Sequence, residues 1–166
     1  DGKEKLKITL YVDLSSEGTL FYRSEYSLFG RLWERSELAS HVSYANQLTH
    51  YDALLLRYGA KEEGEETNQE KVLQFLQSDL TELKRFVRVM LSPALSQTKV
   101  TSVPSISLSL IHHEDWLTLR MKKSPYTIAE WEQILTAYRK KKKFVLLSGN
   151  IILVQDPVVA ELSALS

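Results

Sequence analysis

The 166-residue sequence contains no cysteine. That excludes disulfides, thiolate zinc sites and a cysteine nucleophile, and it fits a reducing compartment. Net charge is also missing, since Lys+Arg and Asp+Glu number 21 each. Neutralising phosphates is what drives nucleic-acid affinity, so zero net charge argues against a dedicated nucleic-acid binder as a whole-chain property, though not against a local patch. No apolar run approaches the roughly 18 residues of a membrane span. A charged-then-apolar signal segment is lacking at the start, and so is an initiating Met, so the chain reads as a piece of something longer. What is present is ordinary for a soluble globular domain: 43% hydrophobic and 25% charged residues. A chain of this length should bury roughly two-thirds of the surface its unfolded form exposes, with no disulfide or metal staple needed.

Strand patterns open the chain. Leu6, Ile8, Leu10, Val12 and Leu14 alternate with polar neighbours, which puts them on one buried face. Ser15-Ser16-Glu17-Gly18 has turn chemistry, and an aromatic-rich strand from Thr19 to Phe29 completes an antiparallel hairpin. Residues 37–58 read as a helix stopped by Gly59. An acidic solvated loop follows over 61–66, then a helix opened by a Thr67/Glu70 capping box and a second start at Asp79/Glu82. Phe86–Leu91 reads as a strand. Polar residues 97–104 mark the best internal boundary. Alternating serines and leucines over 105–110, then 116–121, predict a second hairpin with His112-His113-Glu114-Asp115 at its tip. Thr127 with Glu130, and Tyr126 with Trp131, predict a capping box and a hydrophobic staple on the last helix. A third hairpin turns at Ser148-Gly149-Asn150. Together these predict an α+β fold, with antiparallel β-hairpins forming a sheet and three or four helices packed on it. One domain is expected over 5–156, divisible into two lobes near 97–104. Residues 157–166 read as a frayed end or severed linker.

Candidate chemistry is sparse. Gly59-Ala60-Lys61-Glu62-Glu63-Gly64 has the glycine spacing of a phosphate-binding loop, but Glu65 and Glu66 stand where Lys and Ser or Thr are required. Two carboxylates there would repel a phosphate, so no ATP site is expected in this chain. His112 and His113 are adjacent on a strand pattern and point to opposite faces, which favours an exposed tip over a metal site. His41 and His50 have no matching partners. The abundant serines include no Gly-x-Ser-x-Gly elbow. Glu62 and Glu66 have no pocket implied by sequence, and Trp33, Trp116 and Trp131 read as packing residues. No catalytic, cofactor-binding or metal-ligating residue is assigned. Arg139, Lys140, Lys141, Lys142 and Lys143 form the basic cluster that could touch a phosphate backbone without reading sequence. Cations also suit a helix C-terminus, and without interleaved aromatics the dipole-complementing role is favoured.

The last third resembles the bacterial SWI/SNF-family helicase-associated domain. The resemblance lies in the serine-rich strand Pro104–Leu110, Asp115-Trp116-Leu117-Thr118-Leu119, Tyr126-Thr127-Ile128-Ala129-Glu130, and the helix running from Ile134 into Arg139–Lys143 and Phe144. It is tight over 103–156 and looser over 5–98. Ser148-Gly149-Asn150 departs from the Lys-Asp-Gly turn of similar sequences with comparable turn chemistry. The resemblance implies an accessory domain upstream of an ATPase motor that acts on DNA, in the cytoplasm. ATP and Mg would belong to that motor, with no cofactor in this chain. The implied partners are the motor and, weakly, DNA; no membrane partner is implied. No catalytic residues are carried over.

Overall fold

The structure is a computed structural model that describes residues 4–103 and 124–165. The second expected hairpin, with His112, His113 and Trp116, lies outside the described residues. The chain divides into two compact units, Asp1–Ser96 and Gln97–Ser166. The fold is α+β with antiparallel hairpins, as the sequence pattern predicts.

In the first unit, β1 (Lys7–Leu14) and β2 (Leu20–Leu28) form the expected hairpin, with Val12 opposite Tyr22 and Ile8 opposite Tyr26. Period-two alternation buries Leu10, Val12, Leu20, Tyr22, Tyr26 and Leu28 on one face. A short strand β3 (Arg31–Trp33), which the pattern did not announce, pairs with the end of β2 through the two-residue turn Phe29-Gly30. Both turn residues have positive φ, the backbone hand that suits a tight hairpin.

The helix expected over 37–58 is two helices, α1 (Arg35–Ala39) and α2 (Val42–Arg57). Ser40 Oγ donates to the Glu37 carbonyl at 2.8 Å, a local bond that competes with helix propagation, and His41 is extended. Gly59 does end α2: it takes φ +67°, its N–H bonds Leu56, and the Ala60 N–H bonds Leu55. That is a Schellman closure.

Residues 64–66 keep the expected exposure at Gly64 and Glu65 but are not a loop. They form β4 (Gly64–Glu66), antiparallel to β2, with Phe21 opposite Glu65. The next helix starts one residue later than expected. Asn68, not Thr67, is the cap, its side chain accepting from the Lys71 N–H at 3.1 Å. From there α3 (Gln69–Gln74), a π-helical segment (Phe75–Asp79) and α4 (Leu80–Leu83) run on without a break. Asp79 is therefore helical and caps nothing. The π turn has a physical reason. Core residues Phe75 and Leu80 are five apart, and a plain α spacing would instead turn Asp79 inward.

β5 (Arg88–Leu91) then pairs parallel to β1, giving the order β3-β2-β1-β5 with β4 also on β2. The short α5 (Pro93–Ser96) follows, its Leu95 N–H held by Ser92 Oγ.

In the second unit, β6 (Val100–Ser102) lies parallel to β8 (Asn150–Leu153), and β7 (Phe144–Leu147) lies antiparallel to β8. Helix α6 (Ile128–Arg139) carries the predicted capping box: Glu130 N–H to Thr127 Oγ1 at 3.1 Å, Thr127 N–H to Glu130 Oε1 at 2.9 Å. Tyr126 meets Trp131 edge-on at 5.4 Å, as the staple requires. Residues 157–165 are not frayed. They form α7 (Pro157–Leu165), which buries Val159 and Leu162 in one core with Trp131, Ile134 and Ile152. Asp156 Oδ1 accepts from the Val159 N–H at 2.9 Å, and Pro157 sits at the first helical position, where its missing N–H costs nothing. No described helix is long and apolar enough to cross a membrane.

Candidate functional site

The basic cluster is the end of α6 and the turn into β7. Arg139 closes the helix, and its Nε donates to Ser163 Oγ at 3.2 Å. Lys140 is the C-cap residue. Lys141 takes φ +60°, its N–H bonds Tyr138, and the Lys142 N–H bonds Ala137, a second Schellman closure made without glycine. The Lys142 carbonyl accepts from Gln155 Nε2 at 2.7 Å, and the Lys143 carbonyl from the Val154 N–H at 3.1 Å. The backbone is thus fixed on both sides of the turn while all five side chains remain exposed. Such an array complements the negative end of the helix dipole and presents positive charge to any polyanion that reaches it.

The phosphate-loop lookalike is built for other purposes. Gly59 ends α2 and Gly64 opens β4. Lys61 Nζ turns back to the Glu65 carbonyl at 2.6 Å and lies 3.9 Å from the Glu66 carboxylate. Among the described residues no three His, Asp or Glu side chains converge to hold a metal ion. His41 rests edge-on against Tyr44, and His50 is exposed on α2.

One polar cluster escaped the sequence reading. Tyr26 donates to Glu62 Oε1 at 2.8 Å and accepts from Arg35 Nη1 at 3.1 Å. Arg35 also forks onto both oxygens of Asp52. Ser24 Oγ donates to the Glu62 carbonyl at 2.7 Å, so the 2.6 Å contact with Tyr51 must have the phenol as donor. Burial pushes the Tyr51 phenol up to about 12, and burial followed by the bond to Glu62 raises Tyr26 as well. The Asp52 carboxylate, above all, holds Arg35 in its charged form. Protonated phenols satisfied on every side are poor bases and poor nucleophiles. The cluster instead ties β2, α1, α2 and the segment before β4 to one another. A signal for it did exist: tyrosines on the buried face of β2 require partners for their hydroxyls, and Glu62 was at hand in sequence.

Comparison with known proteins places the chain. No curated protein and no solved structure matches it. A family model described as bacterial SNF2 helicase associated matches residues 52–165, more than half of its length, with α6, the basic turn, the final hairpin and α7 inside the match. On that match, the chain belongs to the bacterial SNF2 helicase associated family.

Proposed function

We propose that the chain is a non-catalytic accessory or regulatory domain of a bacterial SWI/SNF-type, ATP-dependent DNA translocase. It would work in the cytoplasm, beside a motor that binds ATP and Mg on its own residues. The observation that carries this reading is the family match over residues 52–165. The chemistry of the first unit supports it: Glu65 and Glu66 occupy the positions where a phosphate-binding loop needs cations and hydroxyls, and Gly64–Glu66 is spent on pairing with β2. The test has two arms. The chain alone should not turn over ATP, and turnover that survives Glu65→Ala would refute the reading. Deleting the domain from its parent protein should change DNA-stimulated ATP hydrolysis by the motor; unchanged stimulation would remove the regulatory role.

A second reading is favoured by the exposure of Arg139–Lys143, which suits contact with a phosphate backbone. Contact of this kind is weak and sequence-independent, with a salt slope of about −0.9 for each phosphate neutralised on duplex DNA. Replacing Lys140 to Lys143 by Ser should weaken duplex binding evenly across sequences. Tight binding at physiological salt that survives this change would refute the assignment.

A further inference from the structure

The sheet of the first unit has two unlike faces. One is core, with Leu10, Val12, Leu20 and Tyr22 buried. Residues directly opposite in a ladder share a face, so the register lays out the other face in rows. Lys7 with Ser27 and Leu32 form the first row, and Thr9 with Glu25 and Arg88 the second. Tyr11 with Arg23 and Met90 form the third, and Asp13 with Phe21 and Glu65 the last. The open face of such a sheet is ordinarily polar. Here Phe21, Leu32 and Met90 are 42%, 60% and 43% exposed. A hollow of about 490 Å³ lies among Tyr11, Asp13, Phe21, Met90 and Pro93.

Charge on this face is sorted along the strands. Arg23 pairs with Glu25 at 2.6 Å and lies 4.2 Å from the Tyr11 ring centre, so the middle is neutral. Lys7 and Arg88 stand toward the start of β1, and Asp13 and Glu65 toward its end. Among the described residues none of these four is in an ion pair. The face therefore carries a cationic end, an apolar and aromatic middle, and an anionic end.

We propose that this face docks on the same face of a second copy of the chain, about a two-fold axis that lies between the sheets and runs across the strands. Such an axis reverses strand direction, so the first row meets the last and the second meets the third. Lys7 then faces the second copy's Asp13, Glu25 faces its Arg23, and Arg88 faces its Met90 at the hollow. Each contact occurs twice, as an isologous interface requires. An axis along the strands would instead set like charges against like, so the pattern selects one orientation. Zero net charge removes long-range repulsion between copies. The face spans four strands and residues 7 to 13 of β1, roughly 450 Å² per copy at ordinary strand spacing. Stable complexes bury about 800 Å² per partner, so the pair should be weak. The two-fold closes at two copies and leaves the sheet edges untouched. The proposal stands on this face alone and does not use the motor.

The test is sedimentation equilibrium of the whole chain at low salt, up to roughly 1 mM. The mass should rise toward two copies and no further, and fall back as salt is added. Lys7→Glu and Asp13→Lys should each leave the chain monomeric alone, yet the two variants should pair when mixed, because opposite charges then face again. Met90→Lys should weaken the pair about tenfold or more relative to Met90→Glu, since the new charge meets the second copy's Arg88. Lys7 and Met90 are exposed, so thermal melts of their variants should match the parent. Asp13 also accepts from Ser92 Oγ, so if Asp13→Lys lowers the melt the two Met90 variants decide. Four results would overturn the proposal: a monomer at every concentration, whether or not it takes up a labelled oligothymidylate; equal behaviour of the two Met90 variants; well-folded Lys7→Glu and Asp13→Lys chains that do not pair when mixed; or growth past two copies.

Discussion

Among the described residues, the first unit buries three tyrosines beside Phe75, and the buried rings of the second carry no hydroxyl. Tyr22, Tyr26 and Tyr51 lie in the first core; Trp131 and Phe144 lie in the second. A phenol taken out of water calls for a partner, and two of the three have one: Tyr26 depends on Glu62 and Arg35, and Tyr51 on Ser24. Trp131 asks for one bond only, which its Nε1 gives to Ser124 Oγ at 2.7 Å. The second unit therefore rests mainly on filled volume and the first on filled volume plus a satisfied polar network.

The largest effect should come from the volume side of this contrast. Trp131→Ala empties a site only 1% exposed and should cost about 3–5 kcal/mol, read from urea melts. A loss below about 1 kcal/mol would mean that the second core can close over the gap.

Next comes the polar side. Tyr26→Phe removes one hydrogen bond each from Glu62 and Arg35, while Arg35 keeps Asp52 and stays 3.9 Å from Glu62, and should cost about 1 kcal/mol. Tyr22→Phe should be neutral or stabilising, because the Tyr22 hydroxyl is buried with no partner among the described residues. If the two variants behave alike, the network contributes nothing and the contrast between the units fails.

The same contrast has a pH signature. Tyr22, Tyr26 and Tyr51 are raised above the usual phenol range, each chiefly by burial. A raised folded value favours the protonated phenol, so this stability is fully present below pH of about 10 and is lost as pH climbs through the folded values, for Tyr51 about 12. In the second unit only Tyr126 is raised among the described residues. Denaturant midpoints followed across alkaline pH should fall first for probes in the first unit. Simultaneous loss in both units would blur the distinction.

Helix ends provide finer tests. Asn68→Ala should cost about 1 kcal/mol while Thr67→Ala should cost almost nothing, which discriminates the cap used from the one the sequence suggests. The smallest effect sets the two Schellman closures against each other. Lys141→Gly should stabilise by about 0.5–1 kcal/mol, since the position is left-handed and holds a side chain. Gly59→Ala should do the reverse, because the new Cβ would sit 3.2 Å from Asp79 Oδ2 at a positive φ. A melt in which both changes are silent would show that neither closure limits stability.

Local signals were legible and distant ones were not. The alternation in β1, the turn at Ser15–Gly18, the stop at Gly59 and the cap at Thr127 all act within a few residues, and the sequence displays them. The parallel pairings of β5 with β1 and of β6 with β8 join segments far apart in the chain, and no periodicity names the partner strand. β4 is invisible locally because Gly-Glu-Glu has no strand preference; the free edge of β2 makes it a strand. Pro157 read as the end of structure because proline breaks helices, yet after Asp156 it begins one. At the level of the candidate site, the sequence located Arg139–Lys143 but not the backbone bonds that fix their turn. It missed Glu62 as the partner of a buried tyrosine.

The pairing of β2 also bears on how this protein tolerates being concentrated. Its outer edge is covered at one end by β3, opposite residues 26–28, and at the other by β4, opposite residues 20–22. Only Arg23, Ser24 and Glu25 are left between them, two charged residues around a serine whose side chain is already engaged. Templated fibre growth needs a continuous edge of about six residues with little charge and no interruption. A strand from a neighbouring molecule would meet three residues here and lose its register at either end. The two short flanking strands thus serve as end-stops against stacking, and material prepared at high concentration should resist sheet-to-sheet growth from this edge.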